Sequence, residues 1–325
     1  MEPCYILAVD EGTSGTKATL FDHYGELAGR HTEPLAQFYP RPGWVEQDAA
    51  EIYQKTLRAI AGVLADTGAA PSSVAALAVS NQRETVVVWD RSSGEPVYPA
   101  VVWQCGRGID ICRALEKQGL ADEVRQKTGL VLSPYFSAAK IAWILDHVPG
   151  ARRKAERGLL ACGTVDSWLI YRLTGGQVHA TDFSNASRTQ LFHIGRLRWD
   201  EDLLQAFRIP DSMMPEVRSS NGDFGDTTAG GAFPAAVPIA GVVGGSHAAL
   251  FGQCCFEPGM AKVTYGTGSS IMMHIGRSPR LSDKGVVTSL AWGIDGRPEY
   301  VWEGNVNFTG ATIQWLVEDL QLFRD

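Results

Sequence analysis

Two segments of the chain share one pattern, in which a glycine-threonine turn joins two apolar runs. The first is Val9-Asp10-Glu11-Gly12-Thr13-Ser14-Gly15, and the second is Val263-Thr264-Tyr265-Gly266-Thr267-Gly268-Ser269-Ser270. After the first turn the apolar run Ala18–Phe21 predicts a strand, which disfavours a P-loop or a dinucleotide fingerprint because both need a helix there. Each motif alone could be an ordinary hairpin. The pair predicts an internal duplication with one copy opening each domain, so that two backbone-amide clamps could face one polyphosphate.

The composition bounds the size of the fold and the class of partner. The chain has 325 residues, of which 45% are hydrophobic, so we expect two domains or one large domain with part of another. The net charge is −7 and no dense basic cluster occurs, which argues against nucleic acid as a partner. The stretch Thr227–Phe256 lacks charged residues, but its prolines and glycines disfavour a membrane span. Six cysteines without a C-x-x-C pair predict free thiols in a reducing compartment, and hence a cytoplasmic protein.

Periodicity predicts strands and helices in alternation, with strands in succession near the end. The predicted strands are Tyr5–Val9, Ala18–Phe21, Val74–Val79, Thr85–Trp89, a short one near Val97, Ala261–Tyr265, Ile271–His274, Val286–Trp292 and Tyr300–Trp302. The predicted helices are Ile52–Leu64 behind an N-cap at Asp48, Ala138–Asp146, Asp166–Leu173, and a last one with Ile313, Leu316, Val317 and Leu320 on one face.

Several motifs together resemble one known family. They are Asp10–Lys17, Gly43–Asp48, Asn81–Thr85, Val102–Gln104, Pro134–Lys140, Gly163–Trp168, Asn185–Thr189 and Gly266–Gly268, and Tyr135–His147 fits a family signature. The chain resembles the FGGY carbohydrate kinases and, among them, the glycerol kinases. The resemblance implies an α/β chain with the actin-like, ribonuclease-H-like duplicated fold. It further implies a complete sugar- or polyol-binding domain at 1–251 and an incomplete nucleotide-binding domain at 252–325.

The resemblance implies that the chain uses ATP and Mg²⁺ to phosphorylate a polyol or sugar, glycerol first, and it is compatible with a homo-oligomer. Asp10, which ends a predicted buried strand, would hold Mg²⁺ through water, although it could also be a turn-capping residue. The residues implied to contact phosphate or nucleotide are Gly12, Thr13, Ser14, Lys17, Thr267, Gly310 and Gln314. Lys17 stands where relatives often have arginine, so charge is retained without a bidentate grip.

Adjacent Arg83 and Glu84 follow a predicted strand. One donates and the other accepts hydrogen bonds, which suits the neighbouring hydroxyls of a polyol, although such a pair alone is more often a surface ion pair. The resemblance favours the binding role. It adds the hydroxyl of Tyr135 and an apolar wall at Trp103, which is otherwise a core tryptophan.

Three departures from the family pattern bear on activity. Gly245, followed by Ser246 of the substrate site, stands where the family has the aspartate that takes the proton from the attacking hydroxyl. Positioned base catalysis contributes roughly 10²- to 10⁴-fold, so very low activity is expected. His247 lies two residues further along and is not expected to replace the aspartate. Ser270 replaces an aromatic residue and leaves room for a longer polyol. The run Gly230–Pro234 lacks a basic residue that some relatives use for regulation by a sugar bisphosphate. A non-catalytic sugar-binding or regulatory protein is therefore the alternative to a kinase.

Overall fold

The computed structural model describes residues 4–228, 233, 235–266, 268–306 and 308–323. The strands are β1 (Tyr5–Glu11), β2 (Gly15–Phe21), β3 (Leu27–Pro34), β4 (Glu46–Gln47), β5 (Val74–Asn81), β6 (Val86–Asp90), β7 (Ala100–Val101), β8 (Leu160–Thr164), β9 (Ala180–Asp182), β10 (Phe192–His193), β11 (Arg198–Trp199), β12 (Glu216–Arg218), β13 (Ile239–Gly244), β14 (Ala261–Tyr265), β15 (Ser269–Gly276), β16 (Val287–Ile294) and β17 (Arg297–Val306).

The helices lie mainly between the strands of the first 252 residues. They are α1 (Ala49–Thr67), α2 (Ile109–Lys117), α3 (Ala121–Thr128), α4 (Ser137–His147), α5 (Ala151–Glu156), α6 (Val165–Leu173), α7 (Phe183–Ala186), α8 (Glu201–Ala206), α9 (Gly245–Gly252) and α10 (Gly310–Gln314). Asp48 caps α1 as predicted, since its carboxylate accepts a hydrogen bond from the amide of Ala50.

A five-stranded sheet, here called the first sheet, has the order β3-β2-β1-β5-β13. β1, β2 and β3 are antiparallel neighbours, whereas β5 and β13 run parallel to β1. The core of this layer includes Leu7 and Val9 of β1, Ile60 of α1 and Trp168 of α6, all buried. The carboxyl ends of the three parallel strands therefore meet at one edge of the sheet.

A four-stranded antiparallel sheet, here called the second sheet, has the order β14-β15-β17-β16. It packs on the preceding part of the chain, because Ile275, Leu290 and Tyr300 share a buried cluster with Phe183 and Phe192. The antiparallel strands β4-β7-β6-β8 form a third sheet beside α4. The second sheet faces the carboxyl edge of the first, because residues of both sheets line one cavity there.

Two predictions of secondary structure need correction. The predicted strand near Val97 is reduced to an isolated antiparallel bridge between Pro96 and Trp89, and the nearest strand is Ala100–Val101. The last predicted helix is present as α10 followed by a π-helical turn at Trp315–Asp319, but Ile313 and Leu320 are exposed. The apolar spacing predicted a buried face, and no described residue covers these two side chains.

Candidate functional site

A cavity of about 310 Å³ lies where β1, β5 and β13 end, opposite the second sheet. Parallel strands end at the same edge of a sheet, and this crevice is where open α/β sheets bind ligands. The first sheet contributes the residues that follow each strand, and the second sheet contributes Thr264, Ser269 and Asn305. The cavity is therefore built by both sheets.

Most of the residues predicted for the site line this one cavity. They are Asp10, Gly12, Thr13, Arg83, Glu84, Trp103, Tyr135, Gly245, Ser246 and Ser270. Ser14 and Lys17 are exposed on the hairpin beside it, and Lys17 Nζ lies 4.0 Å from the Asp10 carboxylate. Gly310 and Gln314 do not line the cavity: the Gly310 amide bonds to the Gly266 carbonyl, and Gln314 bonds to Glu318. Thr267 lies outside the described residues.

The chain leaves β5 in a tight turn that sets both charged residues of the predicted pair. The amide of Thr85 donates to the carbonyl of Arg83 at 2.7 Å, and Glu84 has a φ of 63°. A left-handed conformation costs a non-glycine residue on the order of 1 kcal/mol and is held only where surrounding contacts determine it. The arrangement places both side chains, each buried, at the cavity.

Arg83 is held by a partner that the sequence did not reveal. Its two terminal nitrogens donate to the carboxylate of Glu303, on β17, at 2.9 and 2.6 Å. Arg188 links the same carboxylate, at 2.8 Å, to Glu84, whose Oε1 accepts from Arg188 Nε at 2.6 Å. Burial disfavours the charge of Glu303, but Arg188 and Arg83 outweigh it and hold the pKa of Glu303 well below its usual range. Four alternating charges thus form one buried network.

An aromatic wall stands on the other side of the cavity. The rings of Trp103 and Tyr135 meet edge to face at 5.5 Å, and Trp103 Nε1 donates to the Thr13 hydroxyl at 2.9 Å. Trp103 therefore joins the predicted polyol wall to the glycine-threonine hairpin. Burial, with the nearby Glu84 carboxylate, raises the pKa of Tyr135, so its hydroxyl stays a hydrogen-bond donor.

The loop that presents Tyr135 is held from behind by Lys140. This lysine is completely buried, and its Nζ donates to the carbonyls of Pro134, Tyr135 and Phe136. Burial lowers the pKa of Lys140 to about 7. Lys140 belongs to the signature Tyr135–His147, but its contact with its own loop was not predicted.

The half-exposed carboxylate of Asp10 faces the cavity from the end of β1. One oxygen accepts from the Ser80 hydroxyl at 3.1 Å. Hard cations such as Mg²⁺ prefer oxygen ligands and often bind one carboxylate together with waters and substrate phosphates. Among the described residues, no cluster of three or more histidine, cysteine or acidic side chains could hold a metal alone. Asp10 therefore fits a magnesium ion bound mainly by water and phosphate.

Gly245 begins α9 directly after β13 and lines the cavity. A Cβ atom there would lie 3.1 Å from the carbonyl oxygen of Asn81, a close approach that suits glycine. His247 does not take over the position: it is fully buried, and its Nε2 lies 3.3 Å from the Ser289 hydroxyl. Burial and Arg83 lower the pKa of His247 well below its ordinary value.

Ser270 stands against a lysine on the adjacent strand. Its hydroxyl donates to Glu303 at 3.1 Å and accepts from Lys262 Nζ at 3.4 Å. Burial lowers the pKa of Lys262 to about 8. The sequence reasoning missed Glu303, Arg188 and Lys262. Arg188 lies within a quoted motif, and Glu303 follows an apolar run at Tyr300–Trp302, but neither signal names a partner.

Comparison with known proteins shows the family of the chain. A model of the N-terminal domain of the FGGY family of carbohydrate kinases matches residues 5–252. The chain belongs to the FGGY family. It is 52% identical over 322 residues to the glycerol kinase of Halorhodospira halophila, and 52% identical over 321 residues to glycerol kinase 1 of Thermotoga maritima. Each alignment covers 99% of this chain but only 64% and 65% of those relatives, respectively.

Solved structures of FGGY kinases have the same fold. The crystal structure of Plasmodium falciparum glycerol kinase with ADP superposes with a TM-score of 0.92 at 32% identity, over 99% of this chain and 65% of that one. Gluconate kinase from Lactobacillus acidophilus, at 19% identity, superposes with a TM-score of 0.87 over 98% of this chain and 63% of that one, which shows likeness of fold alone. The predicted α/β, actin-like and ribonuclease-H-like fold of this FGGY chain is confirmed. Within the described residues, no helix is both long and apolar enough to cross a bilayer.

Proposed function

We propose that this chain is the polyol-binding part, with the start of the nucleotide-binding part, of an ATP-dependent kinase that acts on a polyol or sugar hydroxyl, glycerol first. The observation that supports it best is the convergence of Arg83, Glu84 and Tyr135 on the cavity that also contains Asp10 and the Gly12-Thr13 turn. Hydrogen-bonding groups for hydroxyls therefore lie beside backbone amides suited to phosphate. We assign residues 1–251 to the first domain and 252–325 to the second.

Each group has a distinct part in the proposed reaction. Glu84 accepts hydrogen bonds from substrate hydroxyls, Tyr135 donates one, and the ring of Trp103 covers the C–H face. Phosphoryl transfer breaks the bond between the γ-phosphorus and its bridging oxygen, forms one to the substrate oxygen, and releases the hydroxyl proton. A magnesium ion, when bound, neutralises phosphate charge. Asp10 would hold it through water, and Lys17 adds a positive charge at the hairpin.

The proposed chemistry lacks a positioned base. Helix α9, which begins at Gly245, contains no aspartate or glutamate. The buried His247 does not line the cavity. The proton would pass to solvent, so we propose that phosphoryl transfer by this chain is severely impaired. Ser270 in place of a bulky ring leaves space for substrates longer than glycerol.

Calorimetric titration of the chain with glycerol, with and without ATP and Mg²⁺, tests the proposal. Glycerol should bind with or without nucleotide, and Glu84→Gln should abolish the heat because the amide offers an acceptor and a donor where two acceptor oxygens stood. The exposed Glu201→Gln is the matched control and should bind as the parent does. Absence of binding to glycerol, to longer polyols and to ketoses would refute the proposal.

One observation favours a second candidate, a non-catalytic sugar-binding or regulatory protein. The close approach of Gly245 to the Asn81 carbonyl leaves a tightly packed position without a base, while the polyol groups are retained. Such a protein would bind a polyol and remain inactive after a carboxylate is restored.

The six cysteines, all within the described part of the chain, form no disulfide, which supports our assignment of a reducing, cytoplasmic location.

A further inference from the structure

The second sheet contributes the only described carboxylate in contact with the Arg83 guanidinium at hydrogen-bonding distance. Glu303 is completely buried, and it receives both terminal nitrogens of Arg83 in the forked geometry that fixes the guanidinium plane. Arg83 Nε lies 4.0 Å from Glu84, too far for a hydrogen bond. The orientation of Arg83 is thus set mainly from the second sheet.

Both oxygens of Glu303 also have a further partner. Glu303 Oε1 accepts from Ser270, and Oε2 lies 2.8 Å from Arg188, which in turn holds Glu84 Oε1. If Glu303 lost its charge, no carboxylate would lie between the buried guanidinium groups of Arg83 and Arg188. Since Arg83 and Glu84 both line the cavity, such a change would reach both predicted polyol ligands at once.

We propose that Glu303 is a positioning residue of the polyol site, which orients Arg83 and Arg188 and makes occupation of the site depend on contact between the two sheets. The inference rests on the proposed function, because it assigns Glu303 to the same site. Glu303 does not itself line the cavity, and it acts through the arginines. Polyol binding then stabilises the contact between the sheets, since the same network serves both.

Glycerol titration of Glu303→Gln and Glu303→Asp in the full chain tests this role. Glu303→Gln keeps the shape and removes the charge, so glycerol should bind about 10- to 100-fold more weakly. Glu303→Asp restores the charge on a shorter arm and should recover part of the affinity. Glu299→Gln is the control and should bind as the parent does, because Glu299 lies on the same strand but pairs with Arg277 and His274.

A second readout separates positioning from stability. Hydrogen exchange of β14, β15 and β17 should slow when glycerol is added to the parent chain, and this protection should be lost in Glu303→Gln. Equal glycerol affinity in the parent and in folded Glu303→Gln overturns the inference and leaves the proposed function standing. Affinity that falls only in proportion to the unfolded fraction also overturns it. A parent chain that binds no polyol overturns both.

Discussion

Arg83 and Glu303 form a bidentate ion pair, at 2.9 and 2.6 Å, across a separation of 220 residues. The pair joins the turn after β5 to the middle of the second sheet and is buried on both sides. Breaking a buried pair by removing one partner costs about 3–5 kcal/mol, because the other charge is left uncompensated. The polyol site and the contact between the two sheets therefore depend on the same side chains.

Gly245→Asp tests whether the missing carboxylate limits activity. The position opens α9 and has no positive φ, so aspartate is compatible with the backbone, and an acidic residue suits a helix N-terminus. The Asn81 carbonyl must move by a few tenths of an ångström. We expect glycerol-dependent ADP release to rise roughly 10²- to 10⁴-fold above the parent chain.

Gly245→Ala is the matched control for Gly245→Asp, because it adds the same Cβ without a base. Gly245→Ala should leave the rate of ADP release unchanged. It also measures how much stability is lost when a Cβ atom is placed against the Asn81 carbonyl. If Gly245→Asp binds glycerol, ATP and Mg²⁺ but releases no ADP above Gly245→Ala, the non-catalytic alternative is favoured.

Because of Glu11, we expect the free energy of unfolding to fall as the pH rises through the neutral range. Burial raises the pKa of Glu11 from 4.5 to about 8, so the folded state keeps a proton that the unfolded state has already lost in this window. The contribution of Glu11 to the free energy of unfolding is fully present below pH 4.5. It decreases by about 1.4 kcal/mol per pH unit as the pH rises from 4.5 to about 8. In Glu11→Gln that slope should be absent.

Urea unfolding of the parent and of Glu11→Gln across this window measures the effect. The difference between the two proteins isolates Glu11 from other buried groups such as Asp166, whose pKa is raised to about 7 by burial and by Asp182. Parallel stability profiles for the two proteins would show that Glu11 does not titrate abnormally.

Lys140→Met should destabilise the chain and weaken polyol binding. The change removes the donor of three carbonyls, of which that of Phe136 is buried and those of Pro134 and Tyr135 are partly buried, at a cost of about 2–4 kcal/mol. Because these carbonyls belong to the loop that presents Tyr135, glycerol affinity should fall in the protein that remains folded. Urea unfolding and glycerol titration measure the two effects.

Lys154→Met, which removes a half-exposed lysine paired with Asp90, is the control for Lys140→Met and should change stability by less than about 1 kcal/mol. An equally small decrease in the free energy of unfolding for Lys140→Met would mean that water donates to the loop carbonyls in place of the lysine.

Ser270→Phe should narrow the range of polyols that bind. The ring would fill the side of the cavity nearest Glu303 and remove the Ser270 hydrogen bond to that carboxylate. Affinity for polyols of more than three carbons should fall further than affinity for glycerol, as measured by titration with each. Ser270→Ala removes the hydroxyl without filling space and should keep the parent's preference. Equal losses for all polyols in Ser270→Phe would contradict a role in selecting length.

The sequence predicted the parts of the site that follow strands closely. Asp10 is the next-to-last residue of β1, and Arg83 and Glu84 follow β5; both strands were predicted, but β13, which precedes Gly245, was not. Local signals also predicted the cap at Asp48 and the strands β1, β2, β5, β6 and β14 to β17, but not β3, β4 or β8 to β13. They failed near Val97, where an isolated bridge between Pro96 and Trp89 does not extend into a strand.

The sequence by itself determined the family, the strand that carries Asp10, and the absence of a carboxylate at position 245, because these depend on residue identity and local spacing. Only the tertiary structure decided which charges are paired. Arg83, Arg188 and Glu303 are far apart in sequence, and a buried charge selects its partner by distance and desolvation, which exist only after the two sheets have packed together.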